Sequence, residues 1–264
     1  MNWIKFLFVL FIFLQYSAEL YSQEISFYYD EIVDNVSSQP EGDQLLENLT
    51  RQIWNESSSD WVNDSLYEQS YNGNNLVDTI IAHKWRYGTT WGNEFKLTYN
   101  YNSNNKLIFE NYWSWGGGWS ECSRNYYSYY GNGNLAEINI YGLAGAEWRH
   151  FSRTVYSWNT FNLITLIAVE GPYIYYNYWG PIWKEEFSYD SSNLLLMKER
   201  FDHYLLSYWK PDFRDLYYYD NNRNNNENIR QDWNSNDSTW INDYRYLYEY
   251  DRHNRSALIR LVAQ

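Results

Sequence analysis

The chain is short of the residues that usually cross-link or punctuate a fold. It has one cysteine, Cys122, so no disulfide can form within it and its stability must come from packing. Prolines number 4, and with rings so abundant the composition is not that of ordinary disorder. Positive charge is scarce: 20 Lys and Arg stand against 33 Asp and Glu, a formal net charge of −13. That balance excludes a nucleic-acid surface, which needs a basic patch. Long apolar runs are missing beyond the first residues. Phe6 to Leu14, behind Lys5, is too short for a bilayer span and reads as the core of a signal peptide. Cleavage after Ala18 or Ser22 fits the small-residue rule. Residues 1–22 are thus expected to be removed, and no membrane span is expected after cleavage. The histidines His83, His150, His203 and His253 show no metal-ligand spacing with one another or with Cys122. No glycine-rich loop opens a helix, so no phosphate cradle is predicted.

What the chain has in excess is aromatic rings: 15 Trp, 30 Tyr and 12 Phe. They recur with a period. One tryptophan per unit falls at Trp61, Trp91, Trp119, Trp148, Trp179, Trp209 and Trp240, at steps of 28 to 31 residues. Ten residues after each comes Tyr71, Tyr101, Tyr129, Trp158, Tyr189, Tyr219 and Tyr250, always a ring. Five after each tryptophan comes Leu66, Lys96, Arg124, Arg153, Lys184, Arg214 and Arg245, basic in all but the first. Fixed offsets of this kind mark an internal repeat. Within a unit, residues alternate: Trp240, Asn242, Tyr244, Tyr246, Tyr248 and Tyr250 against Ile241, Asp243, Arg245, Leu247 and Glu249. Period two predicts a strand with tryptophan and tyrosine on one face and charge on the other.

Two turns divide each unit. The first precedes the tryptophan and is framed by a second ring, predicting facing pairs Trp54 with Trp61, Trp85 with Trp91, Trp113 with Trp119, Tyr173 with Trp179, and Trp233 with Trp240. The second follows the last tyrosine, as in Tyr189-Asp190-Ser191-Ser192-Asn193-Leu194. Asp or Asn at its start can bond its own backbone, and a later Asn or Gly can turn left-handed. The expected fold is therefore all-β: an antiparallel hairpin meander of about seven two-stranded repeats of roughly 30 residues, curled or spiralled into an open sheet. Residues 23–44 read as a linker and 45–264 as the repeat domain. No helix is predicted.

The Trp-x-Asn…Arg/Lys…Tyr-x-Tyr-Asp-x-x-Asn-Leu pattern resembles the Trp/Tyr-rich hairpin repeats of exported bacterial proteins associated with type IX secretion. It is more distantly similar to YD (RHS-type) repeats, whose hairpins form curled shells. The resemblance covers residues 45 to 260 and implies no catalytic residues. Two features depart from it: the usual YD glycine is mostly asparagine (Asn75, Asn105, Asn193), and no C-terminal sorting domain is expected after the last repeat.

The repeat rings are expected to serve structure, and the basic row to pair with acids such as Glu110, Glu137 and Glu199. Rings outside the consensus cluster near the first turns: Tyr87, Trp115, Tyr175, Tyr176, Tyr178, Tyr204 and Tyr208. Exposed rings along one rim suit glycan stacking, so these are the candidate binding residues. Carboxylates are abundant but none is marked as a catalytic pair, and the turn row carries charge only at Asp190, Asp220 and Asp251, so neither a reaction, a cofactor nor a metal is assigned. The expected role is an exported, non-catalytic structural or glycan-binding module at the cell surface, with a polysaccharide or a surface protein as partner. The alternatives are an outer-membrane β-barrel and a secreted glycoside-active enzyme.

Overall fold

The computed structural model describes residues 47–173, 178–204, 208–250 and 256–263. The predicted signal peptide and linker, Tyr175, Tyr176 and Asp251 lie outside the described residues. Repeat one is the hairpin β1 (Asn48–Asn55) and β2 (Asp60–Tyr71), and repeat two is β3 (Val77–Arg86) and β4 (Thr90–Tyr101). Repeat three is β5 (Leu107–Trp115) and β6 (Trp119–Tyr129), and repeat four is β7 (Leu135–Ala144) and β8 (Glu147–Trp158). Repeat five is β9 (Ile164–Tyr173) and β10 (Tyr178–Tyr189), and repeat six is β11 (Leu195–Tyr204) and β12 (Tyr208–Tyr219). Repeat seven is β13 (Asn225–Asn234) and β14 (Thr239–Tyr250), followed by β15 (Ser256–Ala263). These strands make one antiparallel sheet in chain order, β1 through β15, with β1 and β15 as its two edges among the described residues. The meander is the curled hairpin repeat that the sequence predicts, and it does not close.

The second turns show why asparagine and aspartate recur there. Asp190 Oδ1 accepts the backbone N–H groups of Ser192 (2.8 Å) and Leu194 (2.9 Å). Asn72, Asn102, Asn159 and Asp220 repeat the pattern. Three residues after each turn begins, at an Asn or Asp or in one turn at Tyr130, the backbone turns left-handed, at Asn75, Asn105, Gly133, Asn162, Asn193 and Arg223, with φ between 60° and 89°. Asparagine tolerates that region better than other side chains, which explains how the chain manages with so few glycines.

Alternation along the strands is broken by bulges. Every strand pairing carries one register shift. Across each first turn the extra residue lies three places after the repeat tryptophan: Asp64, Glu94, Cys122, Phe151, Ile182, Asp212 and Asp243. A bulged residue resets which side the following residues face and sharpens the twist. In β14, Asn242 lies opposite Gln231 while Tyr244 lies opposite Arg230, and Gln231 and Arg230 are consecutive. Trp240 and Tyr244 therefore sit on opposite faces. This corrects the expectation that tryptophan and tyrosine share one face opposite the charges: tryptophans share a face with the basic row, and Tyr244 to Tyr250 line the other.

The tyrosine face holds the core. Tyr67, Ile80, Ala82, Leu97 and Tyr99 are its buried apolar residues, with Val77, Phe95, Tyr101, Leu107 and Tyr112 packed around them. Glu110, expected to partner the basic row, is buried on this face instead, where it accepts from Tyr127 Oη (2.7 Å) and Asn125 Nδ2 (3.2 Å). At the first bulge, buried Asp64 meets Lys84 (2.6 Å) and Arg51 (2.8 Å). Burial favours its neutral form, but the bonds from Lys84 and Ser65 and the charge of Arg51 outweigh it and hold the carboxyl below its ordinary range. The polar opening of β13 is bonded in part: Asn225 donates to Asn228 (2.7 Å), which donates to Tyr248 (3.1 Å), while the side-chain carbonyls of Asn225 and Asn226 are buried without a partner among the described residues.

The ring ten places after each tryptophan has a fixed task. From repeat two onward its polar tip donates to the backbone carbonyl of the first residue of its own hairpin's partner strand, whereas Tyr71 donates to Gln69 Oε1 (3.1 Å). Tyr101 reaches Val77, Tyr129 reaches Leu107, Tyr189 reaches Ile164, Tyr219 reaches Leu195 and Tyr250 reaches Asn225, at 2.7 to 2.9 Å. Trp158 makes the same bond to Leu135 through Nε1 (2.7 Å). The position needs a flat apolar body with a donor at its end, which tyrosine and tryptophan offer and phenylalanine does not.

Candidate functional site

On the tryptophan face, cations stack on rings of the following repeat. Lys96 lies 5.2 Å from the Trp119 ring, Arg124 3.9 Å from Trp148, Lys184 5.0 Å from Trp209, and Arg214 4.5 Å from Trp240. The basic row thus bridges repeats through cation–π contacts as well as ion pairs. Arg153 departs from this: it pairs with Glu137 (2.6 Å) and Glu170 (3.3 Å), and His150 takes the place on Trp179, ring to ring at 4.3 Å. The other face of His150 stacks on Tyr141 at 4.6 Å. Burial holds the imidazole below its ordinary pKa. Hydrogen bonds from Arg153 and Asn139 hold the Glu137 carboxyl low, although burial opposes them.

Beside this stack lies a groove of about 380 Å³, lined by Arg124, Tyr126, Asn139, Tyr141 and Trp148. Strand pairing builds it. Tyr126 faces Asn139 and Arg124 faces Tyr141 across β6 and β7, while β8 supplies Trp148 as a wall. Arg124 is fixed from two sides, by Trp148 and by Glu121, which accepts from its Nε (2.9 Å) and Nη2 (2.6 Å). That forked bond raises the guanidinium pKa. Tyr126, 42% exposed, meets Tyr141 edge to face at 5.6 Å. Flat rings beside a planar amide and a guanidinium suit stacking with hydrogen bonding.

The rim residues chosen from sequence are not gathered there. Tyr87 is 94% exposed in the β3–β4 turn, with φ 55°. Trp115 ends β5 and faces Trp119, ring to ring at 5.0 Å. Tyr208 opens β12 and is 53% exposed. Tyr178 and Tyr204 lie opposite Tyr173 and Tyr208 at hairpin necks. All five share the first-turn rim, on separate hairpins save Tyr204 and Tyr208. Two predicted neck pairs are corrected by register: Trp113 lies opposite Glu121, so Trp115 is the partner of Trp119, and Trp179 lies opposite Pro172. The other pairs form, with ring centroids 5.5 Å apart at Trp54–Trp61, 4.9 Å at Trp85–Trp91 and 5.1 Å at Trp233–Trp240. Of the groove, only Arg124 and Trp148 occupy repeat positions that the sequence singles out.

No protein-family model matches the chain, and no curated protein does. Among solved structures, a Bacteroides fragilis protein of unknown function is 18% identical, with 47% of this chain and 91% of that one covered and a TM-score of 0.39. A TcdB2-TccC3-TEV structure is 13% identical over 85% of this chain, TM-score 0.41, and this chain spans 13% of its length. The Photorhabdus luminescens Tc holotoxin pore is 10% identical over 82% of this chain, TM-score 0.32, with 15% of its chain covered. The function is left to this chain's own residues.

Proposed function

We propose that the chain is an exported, non-catalytic β-repeat module that presents a glycan-binding groove on its tryptophan face at the cell surface. The observation that carries this is the groove itself, where Tyr126, Tyr141 and Trp148 surround Asn139 and Arg124. Sugars offer apolar C–H faces to rings and hydroxyls to polar groups, and this lining has both. The repeats supply the rigidity, since each groove residue sits on a strand held on both sides. Export rests on the signal-peptide pattern at residues 1–22. A closed membrane barrel is the poorer reading, because β1 and β15 do not pair. The test is a glycan array probed with the whole protein, followed by tryptophan fluorescence titration of any hit. Binding that weakens about tenfold in Trp148→Ala supports the reading. Silence across the array would leave a purely structural or protein-binding role.

A further inference from the structure

The charges around the groove are already spent on each other. Arg124 gives its Nε and Nη2 donors to Glu121, which balances its charge, and its face to Trp148. Asn139 donates to Glu137, which is matched by Arg153, and Arg153 also meets Glu170. The next polar ring, His150, lies sandwiched between Tyr141 and Trp179. The immediate set therefore has two fixed cations, Arg124 and Arg153, against three carboxylates, Glu121, Glu137 and Glu170. An anionic ligand would find each of these cations already charge-paired, a local excess of negative charge, and a chain of net charge −13. What remains for a ligand is uncharged. The Tyr141 hydroxyl and the Asn139 side-chain carbonyl accept no protein bond among the described residues, and Tyr126 is 42% exposed. The volume of about 380 Å³ lies at the small end of ligand pockets, roughly 300–1,000 Å³.

We infer that the groove takes a short, uncharged saccharide, stacked on Tyr141 and Trp148 and hydrogen-bonded by Asn139, and that it rejects acidic glycans. This rests on the glycan-binding reading and adds to it the class of sugar. A polyanion would meet Arg124 with its charge already balanced by Glu121, and would stand beside that carboxylate and Glu137. A neutral sugar asks nothing of the ion pairs.

The experiment is calorimetric titration of the full chain with two panels, neutral gluco-, manno-, xylo- and galacto-oligosaccharides and acidic oligogalacturonates and heparin fragments, at low and high salt. A neutral oligosaccharide should bind with an affinity that changes less than about twofold with salt. Trp148→Ala and Tyr141→Ala should each weaken it about tenfold. Asn139→Ala, which keeps every ring, should weaken it by a smaller factor, and Tyr208→Ala on the distant rim should leave it unchanged. Circular dichroism confirms that each variant is folded. Salt-sensitive binding of an acidic glycan that depends on Arg124 would overturn the inference and leave the glycan reading standing. Neutral binding that vanishes in Tyr208→Ala but survives Trp148→Ala would place the site on the rim and overturn the assignment to this groove. No binding by either panel would remove the glycan reading and the inference together.

Discussion

Repeats two and six place a phenylalanine at the same position, four residues after the repeat tryptophan, and cover it in opposite ways. Phe95 lies across from Ala82, packs on the buried cluster, and meets the Tyr112 ring at 5.8 Å. Phe213 lies between two cations, the Arg230 guanidinium 3.2 Å from its centroid and the Lys198 ammonium at 5.3 Å. Two residues on, the contrast repeats. Leu97 stands in the row Ile80, Leu97, Tyr112, whereas Asp215 stands in the row Lys198, Asp215, Arg230. The backbone and the bulges are the same. One sheet face can thus be finished with hydrocarbon or with a cation–anion–cation row lying on a ring. The repeat fixes where side chains go and leaves open how they are covered.

The largest expected effect is on the hydrocarbon side. Leu97→Ala should cost about 2–4 kcal/mol, measured by urea denaturation, because Leu97 is buried and the rigid sheet cannot collapse onto the gap. The cost should not depend on salt. Asp215→Ala is the matching cut in repeat six. It leaves Lys198 and Arg230 facing each other, since each is 3.2 Å from Asp215. The expected cost is about 1–2 kcal/mol, between that of a surface pair and a buried one, and it should shrink as salt rises. Equal salt dependence in the two variants would erase the distinction between the regions.

The alkaline limit should come next. Burial, with help from Asp215 and neighbouring tyrosines, pushes the Tyr217 phenol up to about 12. Its ordinary value is 10.0, so as pH climbs the unfolded chain loses the proton first. The stability from this group is complete below about pH 10 and is lost as pH rises through about 12. Tyr217→Phe should flatten that loss in stability curves taken at rising pH, and phenolate absorbance should lose its highest-pH step. The same loss in both proteins would show that the other raised phenols, among them Tyr101 and Tyr156, set the limit.

What the two regions share should respond alike. Tyr101→Phe and Tyr219→Phe each remove a bond to a backbone carbonyl, at 2.7 and 2.9 Å. Each should cost about 1 kcal/mol, with the carbonyl left wanting a donor. This part of the fold was legible in the sequence: the rings ten places on, the Asn and Asp turns and the strand order follow from spacing and residue type. The two-faced arrangement was not. A bulge is one extra residue of no fixed kind, as Asp64, Cys122, Phe151 and Ile182 show, and a single insertion turns every later side chain over. A clue was present in Pro181 and Pro211, both two places after a repeat tryptophan, since proline inside a strand marks an interrupted ladder. The groove was hidden for a related reason. Tyr126, Asn139 and Tyr141 hold no recurring repeat position and meet only once β6 and β7 are in register.

The smallest effect concerns the turn of repeat six. Arg223 holds the left-handed position, φ 67°, where Asn193 stands in the preceding turn with φ 65°. A long side chain there costs more than asparagine, by a fraction of the ~1–2 kcal/mol that the region costs L-residues in general. Arg223 offsets some of this by donating from Nη2 to the Ser192 carbonyl at 2.7 Å, but that bond is exposed. Water replaces an exposed bond at little loss. Arg223→Asn should therefore stabilise the protein, by roughly 0.5 kcal/mol, and the reciprocal Asn193→Arg should destabilise it by a similar amount. Since Asp220 keeps its bonds to Asn222 and Asn224, the turn itself persists in either variant. Opposite signs in denaturation midpoints would show that the turn position, and not its surroundings, sets the preference. A loss in Arg223→Asn would mean that the tie from one turn to the next contributes more than the backbone strain costs.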